Sequence, residues 1–216
     1  MTDTIHAIYG ASGCGRGVAP LLRAKHIYSS EKLFVFVDDG RSGQMVNGFP
    51  VWSYDAFVVA KARRRTVTIA IANSRIREEL VIKCMRDGIS FETIAAAQHV
   101  CMDNVEIGEG AIFSPFTTIT SNIRIGRHFH CNIGSYVEHD CVLGDFVTFA
   151  PGVKCNGNVQ IADHAYIGAG AILKQGTPDK PLIIGAGAIV GMGAVVTKDV
   201  APGAVVVGNP AQPLVK

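Results

Sequence analysis

From Ile107 onward the chain places an apolar residue at every sixth position: Ile107, Phe113, Ile119, Ile125, Cys131, Val137, Leu143, Phe149, Cys155, Ile161, Ile167 and Leu173. The position four residues further on, from Ala111 and Thr117 to Ala165 and Ala171, is small or apolar, with Phe129 its one aromatic. The position directly after the first is often glycine: Gly108, Gly126, Gly144 and Gly168. A period of six suits a parallel β-helix, in which three short strands and three corners make a coil of about 18 residues and coils stack ~4.8 Å apart. The fourth position of the frame runs Gly110, Phe116, Asn122, His128, Gly134, Asp140, Phe146, Gly152, Asn158, His164, Gly170, Gly176. Apart from the two phenylalanines, these are the residue types that best tolerate positive φ, so they are the predicted corners. The frame breaks near residues 177–183 ("TPDKPLI"), predicted as an external loop. It resumes one residue out of phase at Ile184-Gly185, Val190-Gly191 and Val196-Thr197, before a short tail.

The first part of the chain follows another pattern. "IHAIY" (5–9) and "LFVFV" (33–37) read as short buried strands with a helix between them from about Gly15 to Arg23, and "VTIAIANSRIREEL" adds a further strand and helix. The expected organisation is therefore an α/β, Rossmann-like βαβ domain over residues 1–94 and a β-helix over 95–216. About 94 residues is too few for the two mononucleotide-binding halves of a full dinucleotide fold, so a single nucleotide suits this domain better. The glycine-rich turn "GASGCGRG", with Gly10, Ser12, Gly13 and Gly15, offers backbone amides and a helix N-terminus to phosphate oxygens, and Arg16 adds a cation. Asp38 and Asp39 end the second strand, where an acidic side chain commonly meets a ribose hydroxyl. Asn73 and Arg75 stand at the ligand edge of the next strand, although Arg75 and Arg77 also read as solvated helix residues.

Composition narrows the field. With 20 basic against 18 acidic residues the net charge is +2, and no basic stripe of the kind that binds nucleic acid is present beyond residues 61–65. The apolar runs are much shorter than the ~20 residues of a membrane helix, and the N-terminus has no signal-peptide pattern. Six cysteines without a CxxC pair suggest a reduced, cytoplasmic protein without membrane insertion.

The six-residue frame also sorts the polar residues. Cys131 and Cys155 fall in the core position, and His128, His164 and Asp140 are corners. His139 lies in a third, mostly polar position that should face outward. Stacking by one coil aligns Thr120, Glu138, Asn156 and Lys174 in one column and Ser121, His139, Gly157 and Gln175 in the next. Polarity thus gathers around His139, and Gly157 leaves space beside the ring.

The frame, together with "GAGAIVGMGAVVTKDVAPGAVVVGNPA" (185–211), resembles the left-handed β-helix acyltransferases that use acetyl-CoA. More narrowly, "IYGASGCGRG", "VFVDD" (35–39), "AIANSRIR" (70–77) and "VEHDC" (137–141) resemble the bacterial nucleotide-sugar N-acetyltransferases acting on 4-amino-4,6-dideoxyhexoses of the bacillosamine, perosamine or viosamine type, which serve lipopolysaccharide and glycan biosynthesis. The resemblance implies a left-handed coil, a homotrimer with active sites between subunits, and acetyl transfer to the C4 amine of a nucleotide-linked sugar without a metal. It further implies that the glycine-rich turn carries the pyrophosphate and that the aspartate pair helps hold the nucleoside.

The amine must lose its proton before it attacks a thioester, and an imidazole, with an ordinary pKa of ~6.5, suits that step. His139 is the expected base. Glu138 and Asp140 both flank the ring; the family places an acid directly after the histidine, which favours Asp140 as the orienting partner. Asn132 matches a family position near the acyl and amino groups. A second family histidine corresponds to Thr148, which leaves carbonyl polarisation to backbone amides of the glycine-rich coils. Pantetheine would run toward the C-terminal coils past Asn156, Gly157, Gly168, Ala169 and Lys174, with adenine near Pro210. The nucleotide is not legible.

Three other readings compete. A prism-shaped zinc hydratase would need clustered histidines, but His128 and His164 are two coils, ~10 Å, apart. A non-catalytic nucleotide-sugar binder and an acyltransferase acting on a sialic-acid-like sugar are the remaining alternatives.

Overall fold

The computed structural model describes residues 2–26 and 32–214. They form two compact units, one ending at Ile94 and the other beginning at Ala95.

In the second unit every expected corner from Gly110 to Gly170 has positive φ, from 55° at His128 to 73° at Gly110. Asn104, at 55°, extends the series by one corner. Gly176 departs from it, because the chain there leaves the coil. Between corners lie two- and three-residue strands that pair in parallel with a step of 18 residues, as in Ile112↔His130↔Thr148 and Thr118↔Tyr136↔Lys154. The result is three stacked ladders, one on each face of a prism.

The first-position residues fill the interior, where Phe113, Ile119, Cys131, Phe149, Cys155 and Leu173 are all fully buried. Ile107 is the exception, exposed in a strand at the end of its ladder. Phe146 accepts a backbone conformation that costs a bulky residue ~1–2 kcal/mol. Its ring is buried between the His128 and His164 rings, with centroids 5.3 and 5.2 Å away and nearly parallel.

The break in the frame is shorter than the sequence suggested. Thr177 and Lys180 bond to each other across a tight turn, whereas Leu182–Ile184 is already a strand paired with Val159–Ile161. The insertion therefore amounts to five residues beyond the 18-residue step from Val159 to Leu182.

The first unit holds β1 (Thr2–Tyr9), α1 (Gly13–Lys25), β2 (Lys32–Val37), β3 (Met45–Val46), β4 (Phe49–Trp52), α2 (Tyr54–Val59), β5 (Ala62–Ile69), α3 (Ser74–Arg86) and β6 (Ser90–Phe91). The sheet order is β3-β4-β2-β1-β5-β6, parallel except for the β3–β4 hairpin. The helix between the first two strands begins and ends two residues beyond its expected limits, and its apolar stripe of Val18, Ala19 and Leu22 is buried. β3, β4 and α2 were not legible. The turns after β1, β2 and β5 share one edge of the sheet, because all three strands run in parallel. Among the described residues no helix is long and apolar enough to cross a membrane.

Second-position glycines make the stacking possible. A Cβ on Gly126 would lie 2.5 Å from the carbonyl carbon of Gly144 and from Oδ1 of Asp145 in the next coil. Gly126→Ala is expected to destabilise the protein by about 1–3 kcal/mol through this overpacking, read as a lower denaturation midpoint; an unchanged midpoint would contradict the packing limit.

Candidate functional site

Two places gather candidate functional side chains, one in each unit. In the first unit, β1 runs into Gly10, whose φ of 101° suits glycine and whose N–H donates to the Val37 carbonyl at 2.8 Å. α1 then starts almost on top of that turn. A Cβ on Gly15 would fall 1.8 Å from the Gly10 oxygen, so the glycine is what allows helix and strand to approach. Ser12 caps α1 in an extended conformation without using its hydroxyl, and its carbonyl accepts from the Arg16 N–H. Gly13 faces open space. The first turn of α1 carries no acidic residue and the last turn carries Arg23 and Lys25, a charge order that leaves the N-terminus attractive to an anion.

The aspartate pair separates into two tasks. Asp38 Oδ2 accepts the Ala11 N–H at 3.0 Å and so closes the turn, while Asp39 Oδ1 accepts the Tyr54 N–H at 2.8 Å at the start of α2. Asn73 caps α3 through Oδ1, accepting the N–H groups of Arg75 and Ile76. Arg41, which the sequence did not single out, donates to the Ala11 carbonyl at 3.3 Å.

One expectation for this edge is corrected. Arg77 is not a solvated helix residue: it is completely buried, and its guanidinium donates to the Ile71 and Ala72 carbonyls at 2.7 and 3.1 Å. Burial draws its pKa down to about 10, still far above neutrality, so the charge is retained. Arg77 thereby fixes the turn after β5 from behind. Arg75 does lie at the surface, 3.6 Å from Glu78.

In the second unit His139 and Asp140 stand together. His139 Nδ1 lies 2.7 Å from Asp140 Oδ2. A carboxylate only accepts, so Nδ1 carries the proton and Nε2 presents its lone pair. The two side chains remain about half exposed. The neighbour reaches back because Asp140 is a corner, with φ 57°. Glu138, on the extended side, makes no side-chain hydrogen bond with the described residues.

Gly157 lies directly over the ring: a Cβ there would come within 2.5 Å of Cε1 and 2.6 Å of Nε2 of His139. The Gly157 N–H finds no acceptor among the described residues, while its carbonyl accepts from Gly176. Asn132 is half-buried one hexad before Glu138, its Oδ1 accepting the Ile133 N–H at 2.8 Å. Asn156 is occupied within the prism. It accepts from the Tyr136 hydroxyl at 2.9 Å and donates to the Leu173 carbonyl at 2.9 Å.

Further along the same column, a cleft of about 390 Å³ opens between the Thr177–Lys180 turn and residues 197–199. Lys174, Lys180 and Lys198 line it, and the Asp199 carboxylate is engaged by the Ile183 N–H. Leu173 pairs with Val196, so Lys198 falls above Gln175 and three coils above His139, ~14 Å along the axis. Sequence stacking reached Lys174 but missed Lys180 and Lys198, because the insertion shifts the register between them. Gly168 has a packing reason of its own, since a Cβ would meet Met192 N at 2.6 Å. Ala169 and Pro210 are exposed.

Cys141, two residues from this histidine, turns its thiol into the prism, where Sγ donates to the His139 and Asn156 carbonyls at 3.6 and 3.3 Å. Cys131, Cys141 and Cys155 are buried inside the prism, and burial pushes the Cys131 thiol far up.

Comparison with known proteins gives four consistent likenesses. Residues 7–84 match the family model "PglD N-terminal domain". The chain is 50% identical, over 96% of its length and 95% of the relative's, to the GDP-perosamine N-acetyltransferase of Escherichia coli O157:H7. Its fold matches WeeI from Acinetobacter baumannii AYE with a TM-score of 0.96 at 59% identity, covering 98% of this chain and all of that one. It also matches the acetyltransferase domain of PglB from Neisseria gonorrhoeae FA1090 in complex with acetyl coenzyme A, with a TM-score of 0.88 at 30% identity, covering 98% and 100%.

Replacing Arg77 with Met leaves the Ile71 and Ala72 carbonyls without their donor. The expected cost is about 2–4 kcal/mol, seen in denaturant unfolding, and Lys is not expected to restore it because it lacks the forked geometry. Loss of less than about 0.5 kcal/mol in the Met variant would contradict the clamp.

Proposed function

The chain belongs to the PglD-like nucleotide-sugar N-acetyltransferases, and from that premise we propose that it moves the acetyl group of acetyl-CoA to the C4 amine of GDP-perosamine, with His139 as general base. The observation that carries the assignment of the base is the His139–Asp140 pair at 2.7 Å, half exposed and with Nε2 free to meet a substrate.

His139 Nε2 takes a proton from the sugar's amino group, and the nitrogen attacks the thioester carbonyl carbon. Asp140 holds the ring in the tautomer that leaves Nε2 basic and stabilises the imidazolium formed in this step. The oxyanion of the tetrahedral intermediate is assigned to the Gly157 N–H, which has no acceptor among the described residues and sits over the same ring. Collapse of the intermediate breaks the C–S bond and expels the coenzyme A thiolate, which takes up a proton; the amide remains on the sugar. Thr148, buried in the coil after His130, supplies no second imidazole, which favours the backbone amide for carbonyl polarisation.

The lysine cleft lies in the direction pantetheine would take from Gly157. Lys174, Lys180 and Lys198 are assigned to the phosphates of coenzyme A. Gly168, Ala169 and Pro210 remain proposed cofactor neighbours. In the first unit, Gly10, Ser12, Gly13, Gly15 and Arg16 are assigned to the pyrophosphate. Asp38 and Asn73 act there mainly by shaping the turn and capping α3, and Asp39 by holding the start of α2. A homotrimer is the proposed assembly, supported by apolar residues exposed on the prism such as Ile133, Val142 and Met192. A cytoplasmic setting accords with the free cysteines.

His139→Ala is expected to lower kcat for acetyl transfer by ~10²–10⁴ while nucleotide-sugar binding persists; near-normal turnover would remove the base assignment. GDP is expected to raise the melting temperature more than UDP or dTDP at equal concentration. A larger shift with UDP or dTDP would overturn the choice of nucleotide without touching the mechanism.

A further inference from the structure

Toward the starting ends of the strands in the first unit, away from the glycine-rich turn, three segments bring their metal-ligating side chains together. His6 comes from β1, His26 follows α1, and Glu92 follows β6. His6 Nδ1 lies 3.0 Å from Glu92 Oε2, His26 Nε2 lies 2.5 Å from Glu92 Oε1, and the three donor atoms all fall within 4.8 Å of one another. The side chains of His6, His26 and Glu92 are only 5%, 14% and 10% exposed, which separates this group from ordinary surface pairs.

The surroundings hold the donors in place. The imidazoles stack with centroids 3.9 Å apart, and Phe34 backs the inner ring. The Glu92 backbone is tied by its N–H to the Val67 carbonyl and by its carbonyl to the Thr68 hydroxyl. Thr66 Oγ1 touches both His6 Nδ1 and the carboxylate, at 2.8 and 3.1 Å. A cleft of about 340 Å³ opens over the group. Burial would raise the Glu92 carboxyl, but hydrogen bonds from His6 and Lys25 outweigh it and keep the group ionised; burial likewise favours neutral His26.

Two imidazole nitrogens and one carboxylate form a donor set that suits zinc and leaves a fourth position open to the cleft. Imidazoles discriminate against magnesium and calcium, which prefer oxygen. In a tetrahedral site with ~2 Å bonds the donors stand ~3.3 Å apart, a value inside the range set by the 2.5 and 3.0 Å contacts and the 4.8 Å limit on the group. We propose that His6 Nδ1, His26 Nε2 and Glu92 form a binding site for a divalent transition metal, zinc being the best match, outside the acetyl-transfer machinery.

Two lysines decide how tightly it binds. Lys25 Nζ lies 3.0 Å from Glu92 Oε1 and supplies in the metal-free protein the positive charge that a metal would bring. Lys32 Nζ lies 3.3 Å from His26 Nδ1, the nitrogen that must take the ring proton once Nε2 ligates. His6 shifts its proton to Nε2, which has no partner among the described residues. Both lysines must swing aside on loading. Lys25, 42% exposed, can do so without disturbing packing.

The test uses the full chain, stripped with chelator, dialysed and titrated with zinc chloride by calorimetry, with cobalt(II) absorption reporting coordination geometry. About one equivalent per chain is expected, unaffected by millimolar magnesium. His26→Ala should weaken binding ~10-fold or more, and Lys25→Met should tighten it several-fold because the competing ammonium is gone. Circular dichroism of each metal-free variant checks that it is folded. The proposal is overturned if zinc uptake is not saturable, or if folded His26→Ala and Lys25→Met both bind zinc as the parent does.

Discussion

The constraint on which the second unit rests is that the chain must turn each corner of the prism with positive φ while the coils stay ~4.8 Å apart. Residues that tolerate that backbone region occupy the corners, and glycines occupy the positions where the next coil passes within van der Waals contact. Once both conditions are met, the step of 18 residues follows and fixes what stands over what. His139 lies under Gly157, Tyr136 reaches Asn156, and Lys198 aligns above Gln175 because the register carries them there. The candidate site is a product of stacking, assembled from side chains in successive coils.

The first unit solves a different problem. Its sheet buries charge at both ends, with Arg77 held by two carbonyls near the glycine-rich turn and Glu92 surrounded by imidazoles and an amine near the strand starts. Buried charges of this kind contribute little net stability but are costly to break once formed. They pin the turn after β5 and the end of α1 in position. The prism interior, by contrast, is filled by aliphatic, aromatic and thiol side chains, and the buried Thr117 and Ser135 hydroxyls donate to backbone carbonyls.

How far the sequence could be read depended on whether a residue's environment was periodic. The corners, the core position and the isolation of His139 from any packing duty all followed from counting in sixes, whereas the choice of Asp140 over Glu138 rested on the family resemblance; the corner at Asp140 is what lets that side chain turn back to the ring. The five-residue insertion hid Lys198, since a column cannot be extended across a loop whose length is unknown. Arg77 shares a helical stripe with the buried Val81 and Cys84, so a signal existed; the charge argued against reading it as interior. The capping duties of Asp39 and Asn73 depended on α2 and on the exact start of α3. His6, His26 and Glu92 are brought together only by the sheet topology, which no local pattern encodes.

Asp140 joins the two levels of this structure in one residue. Its backbone serves the corner, which asks only for a short side chain at ease at φ 57°, whereas its carboxylate serves the ring. Asparagine satisfies the first demand as well as aspartate does; its Oδ1 still accepts from Nδ1 but carries no charge to balance an imidazolium. The fold therefore exerts no pressure to keep the charge. Exchanging one carboxylate oxygen for an amino group therefore leaves the corner and the prism as they are and removes only the charge beside His139.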